Sequence, residues 1–161
     1  MPVSSNIDVA MAGKSARGVF SEAVGYKMHS DSDDIAVGQA VQRNDTDSDE
    51  VEKFDGSGDF LGVAAYSLEA NQDYAKDSTT EDRAYYDGDY PVKVVRTTSE
   101  GAIVVKTEAA VSAGDDVYVT DATADFTSAE YSGTATKLTH AEYASDATAD
   151  SYVAIRLRPK E

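Results

Sequence analysis

The chain has no cysteine and no tryptophan, and only three prolines in 161 residues. Without cysteine, disulfides and thiolate metal sites are excluded. No apolar run approaches the roughly 20 residues of a membrane-spanning helix. The opening "MPVSSNIDVA" lacks the basic stretch and apolar core of a secretory signal. These absences lead us to expect a soluble product made in the cytoplasm, with no sequence-readable route out of the cell. Basic residues are also scarce: 14 Lys and Arg stand against 30 Asp and Glu, a net charge of -16. They form no cluster, the nearest being "RLRPK" at residues 156–160. Nucleic acid is therefore not expected as a partner, since phosphate binding needs a basic patch that releases counterions. No membrane partner is expected either.

The acids are themselves skewed, with about two Asp for each Glu. Glu and Lys favour helices, whereas Asp favours turns and caps, so this balance argues against a helical protein. An Asp-rich, Lys-poor surface also suits a saturated-salt cytoplasm, where screening relieves self-repulsion. The composition thus points to a halophilic source, with an ordinary acidic mesophilic protein as the alternative.

The apolar pattern has a period of two. "DDIAVGQAVQR" places Ile35, Val37 and Val41 on one face, and "SYVAIRLRP" alternates at Val153, Ile155 and Leu157. "FLGVAAYSLEA" begins as a buried strand. "YPVKVVRTT" and "GAIVVKTEA" flank Ser99-Glu100-Gly101 and are expected to form a hairpin. About seven to nine short strands at this spacing, with no apolar helical period, predict an all-β single domain, a barrel or sandwich of short antiparallel strands. Residues 45–59 and 70–89 are expected as acidic loops on a body spanning 14–161. Residues 1–13 form an extended N-terminal segment in which Val3, Ile7, Val9 and Met11 share one side. It is either an edge strand of its own sheet or an arm laid on a neighbour. On the second reading those four residues are contacts to a neighbouring subunit.

Candidate chemistry is sparse. Gly114-Asp115-Asp116 could suggest a metal-holding carboxylate pair, but neighbours on a strand point to opposite faces. Gly-Asp before "VYV" reads instead as a turn entering a strand. "DTDSDE" has the rhythm of a calcium loop, yet Glu50 and Gly56 stand where Gly and Glu are required. Asp45, Asp47 and Asp49 remain only as loose cation ligands. His29 and His140 are far apart in sequence, no serine sits in a G-x-S-x-G elbow, and no phosphate loop is present. No enzyme and no cofactor are expected. Ten tyrosines and the acidic loops leave a second reading open, a surface module that binds glycans or divalent cations.

The order of elements carries a resemblance. "NIDVAMAG", "IAVGQAV", "FLGVAAYS", "YPVKVVRTTSEGAIVVKTEAAVSAGDDVYVT" and "YVAIRL" follow one another as in the structural cement, or capsid decoration, proteins of tailed viruses. The chain resembles them most at residues 35–41, 60–66 and 90–120, through an "FLGVA" strand and an "AVxAGDxVYV" unit. The acidic loops depart from the pattern. The resemblance implies a compact, usually trimeric β-barrel on the outside of an icosahedral head, fastening subunits of the major capsid protein.

Overall fold

The structure is a computed structural model that describes residues 12–17, 22–67, 70, 83–98 and 101–159. Among these, thirteen strands and no helix are found, so the fold is all-β. Five strands close a barrel in the order β2 (Glu22–Met28), β5 (Glu50–Lys53), β4 (Ala40–Arg43), β6 (Phe60–Ala64) and β8 (Val92–Thr97). The second sheet runs β1 (Ser15–Arg17), β9 (Ala102–Thr107), β11 (Phe126–Thr127), β10 (Asp116–Thr120), β12 (Ala135–Tyr143) and β13 (Ser151–Leu157). Its last strand returns to β9, pairing Ser151 with Thr107 through Ile155 with Ile103. A short ladder joins β3 (Ile35–Ala36) to β7 (Tyr85–Tyr86).

The two sheets share strands' faces rather than lying apart. Val94 packs in one apolar cluster and its neighbour Val95 in the other; Ala64 and Val63, and Val41 and Ala40, divide in the same way. Strands β4 and β6, and β8 at Val94 and Val95, are therefore buried on both faces, which explains the apolar runs "FLGVA" and "VV", while Lys93 in β8 stays exposed. Each such valine contributes about 1.5–3 kcal/mol relative to an exposed one.

Double burial also overturns the expected hairpin. β8 pairs with β2 and β6, while β9 pairs with β1, β11 and β13, and the two never pair with each other. The chain crosses between sheets at Thr98, whose backbone N–H donates to the Leu157 carbonyl at 3.0 Å. Leu157 N–H in turn donates to the Thr98 hydroxyl at 3.0 Å. Two consecutive strands that each bury both faces cannot satisfy them by lying side by side alone.

The expectation of antiparallel strands needs a second correction. β2 with β5 and β11 with β9 are parallel pairs. β5 also lies inside the stretch expected as one acidic loop, 45–59. Glu50 and Glu52 alternate there with the fully buried Val51, so a charged segment still donates one apolar side chain to the barrel.

Residues 1–11 lie outside the described residues. Ala12 is buried in the core. Gly13 donates to the Val104 carbonyl at 2.8 Å and accepts from Tyr66 N–H at 3.0 Å. Gly13 is thereby tied both to β9 and to the segment that follows β6.

Candidate docking cleft

The basic residues that look scattered in sequence converge in space. Arg43 ends β4, Arg96 stands near the end of β8, Lys137 lies on β12 and Arg158 follows β13. All four line one cleft of about 550 Å³, with His140 beside them and Phe60, Leu61, Leu138, Ala141 and Leu157 as its apolar surfaces. Among the described residues, the only carboxylate in the lining is Asp59. Four cations against that one anion give the described lining a formal charge of +3, partly offset by Asp116 and Glu142, which pair with Lys137 and Arg158, in a chain whose net charge is -16.

Local contacts hold these side chains in place. Arg43 Nη1 donates to the Ser48 carbonyl at 2.8 Å, and its guanidinium lies 5.6 Å from the Tyr26 ring centre. Lys137 Nζ sits 3.1 Å from Asp116 Oδ2. That carboxylate raises the Lys137 pKa above the usual lysine value, chiefly through the hydrogen bond, so the ammonium stays charged. Arg158 Nη2 and Arg156 Nη1 both donate to Glu142 Oε1, at 2.7 and 3.3 Å. The side chains of Lys137 and Arg158 remain more than half exposed, so these surface pairs add little stability. Their charge stays available to a partner.

The residues singled out from sequence fall elsewhere. Asp45, Asp47 and Asp49 lie exposed in the turn between β4 and β5. The Asn44 carboxamide oxygen accepts from Thr46 N–H and Asp47 N–H, both at 2.9 Å, and Asp47 Oδ1 accepts from Asp49 N–H at 3.1 Å. The turn's polar groups are thus engaged in shaping its backbone. Among the described residues, no group of three or more His, Cys, Asp or Glu is set to hold a metal ion. Val3, Ile7, Val9 and Met11 lie outside the described residues. Asp115 and Asp116 are exposed, and Gly114 turns the chain at φ +91°. Asp115 Oδ2 accepts from Ser112 N–H at 2.9 Å, so the pair closes a turn.

Sequence reasoning missed the cleft because its cations come from four separate segments. The readable signal was weak: "AVQR", "VKVVRT" and "AIRLR" each end an apolar strand with arginine.

The described residues thus form an all-β body that carries a cationic cleft. A family model described as structural cement protein (E217 gp24/Pam3 gp6) matches residues 2–158. The chain belongs to this phage structural cement family, whose role is to stabilise the virion, and it associates with components of the capsid. The search of curated proteins returned no match.

Proposed function

We propose that this protein decorates the outside of an icosahedral capsid, binds the shell of major capsid protein and clamps its subunits together as a homotrimer. The role is non-catalytic and involves neither nucleic acid nor membrane. One observation carries the reading: an otherwise acidic body concentrates cations in a single cleft, which gives it one distinct contact face. Strands buried on both faces supply the rigidity that a clamp requires. A cyclic trimer would repeat each contact three times and gain avidity from modest interfaces. Residues 1–13, with Val3, Ile7, Val9 and Met11 on one side, serve in this reading as an arm across a seam. The Asp-rich composition favours a host with a saturated-salt cytoplasm.

Quantitative mass spectrometry of purified particles tests the proposal. A copy number comparable to that of the major capsid protein is expected, and heads lacking this protein should leak DNA on heating. Absence from purified particles would refute it. Native mass spectrometry tests the trimer separately.

A further inference from the structure

Strand β12 lies between β10 and β13 but has both neighbours over only part of its length. β10 pairs with it at Ala135 to Leu138 and, past a bulge, at Glu142, whereas β13 pairs only with Ala141 to Tyr143. Asp121 N–H donates to the Thr134 carbonyl at 3.1 Å, which sets the alternation. The backbone groups of Thr136 and Leu138 face β10, and those of Ala135 and Lys137 face the opposite way. On that opposite side β13 stops short. The final cross-strand bond runs from Arg158 N–H to the His140 carbonyl at 2.7 Å, and Pro159 has no N–H to continue the ladder. Among the described residues, no strand pairs with this edge of β12 over residues 135–139. Thr136 through Ala141 line the cleft, together with Leu157, Arg158 and Pro159. The open edge and the cations therefore occupy one place.

We propose that the cleft receives an extended acidic segment of the capsid shell protein, added as a strand along β12. This rests on the capsid-binding function proposed above and names the chemistry of its contact. An added strand gains main-chain hydrogen bonds from the open edge, while alternate side chains choose the partner. Here the alternation meets Lys137, Arg96 and Arg158 on one hand and the apolar surfaces of Phe60 and Leu138 on the other. Acidic and apolar residues in alternation complement both. A nucleic acid fits less well, because its unbroken row of phosphates offers no apolar alternate positions to meet Phe60 and Leu138 and no backbone N–H groups to pair with the strand edge. A second copy of this chain brings the same net charge of -16, which repels it.

The first probe is a labelled peptide of about eight alternating Asp and Val residues, long enough for one strand. Its binding to the full chain is followed by fluorescence anisotropy in low salt. A Lys-Val peptide and an oligothymidine serve as comparisons. The Asp-Val peptide alone is expected to bind, and the Lys137 amide should slow its hydrogen exchange on binding. The double variant Lys137→Gln, Arg158→Gln removes two exposed charges whose surface pairs add little stability, so its melting curve should stay close to the parent's. Its affinity for the peptide is expected to fall roughly tenfold or more. Equal affinity in the double variant, unchanged exchange at Lys137, or binding of the oligothymidine instead would overturn the inference. Co-sedimentation with heads stripped of this protein then identifies the source of the segment. If the parent sediments with heads and the double variant does not, the shell is the source. If both sediment equally, the cleft is not the contact, although the capsid proposal stands. Peptide binding without head binding overturns the shell as the source, and the capsid proposal with it.

Discussion

Arg83 and Asp125 form a two-pronged ion pair inside the protein, Nη1 to Oδ1 at 2.8 Å and Nη2 to Oδ2 at 3.2 Å. Only 1% and 6% of their side chains are exposed. The pair joins the segment leading into β7 to the turn between β10 and β11, regions 42 residues apart in sequence. Breaking this buried pair takes from the Arg83 guanidinium the carboxylate that meets it with two hydrogen bonds, so Asp125→Ala should cost about 3–5 kcal/mol. Replacing both with apolar residues, Arg83→Met with Asp125→Leu, should cost less than the single change. Urea denaturation measures both, and an Asp125→Ala protein as stable as the parent would contradict this account.

Gly62, the glycine of "FLGVA", sits where β6 passes β8 at close range. A Cβ at this position would lie 2.3 Å from the Val95 carbonyl oxygen and 2.7 Å from Val94 Cγ1. Both obstacles belong to a strand buried on both faces, so neither can swing aside. Gly62→Ala should therefore destabilise by roughly 1–3 kcal/mol or more. The thermal melt checks this. By contrast, a Cβ on Gly88 meets nothing within 4 Å. The cost of Gly88→Ala should come only from its positive φ of 98°.

The buried side-chain amide of Gln42 organises the acidic turn after β5. Its oxygen accepts from Asp55 N–H at 3.2 Å and Gly58 N–H at 3.3 Å. Its nitrogen donates to Glu52 Oε1 at 2.7 Å and Asp55 Oδ1 at 2.9 Å. Gln42→Leu removes these four hydrogen bonds, although Asp55 Oδ1 keeps those from Ser57, and should cost about 1–3 kcal/mol, with faster amide exchange at 55–58.

The Asp55 carboxyl is held below its ordinary value of 3.8, first by the hydrogen bond from the Ser57 hydroxyl and further by Gln42, against a smaller opposing effect of burial. A depressed carboxylate stabilises the fold above the unfolded pKa, and that contribution disappears as pH falls through the folded one. The loss should therefore occur in the acid range at and below 3.8. In Ser57→Ala the Asp55 titration, followed by carboxyl-carbon NMR, should move up towards 3.8. An unmoved titration would contradict the assignment.

A net charge of -16 should also make stability depend on salt. Unscreened carboxylates repel one another, and lowering KCl from about 1 M to about 0.01 M lengthens the screening distance roughly tenfold. The melting temperature should fall by roughly 5 °C or more. A melting temperature insensitive to salt would remove the charge-based argument for a halophilic source.

The amino-acid sequence by itself determined the fold class and most strand positions. Alternation at Ile35, Val37 and Val41, and at Val153, Ile155 and Leu157, is a local property of the extended chain, as is the turn at Gly114. Two-residue strands such as Phe126–Thr127 and Tyr85–Tyr86 are too short to show a period at all. Tertiary structure decided which strands pair. A period of two states that a strand has two faces and says nothing about its neighbours, so "VKVVRTT" and "GAIVVKTEA" read as a hairpin although they belong to separate sheets. It also decided the site. Arg43, Arg96, Lys137 and Arg158 are far apart along an acidic chain, and only the crossing of strands between sheets brings their charges and an open strand edge together.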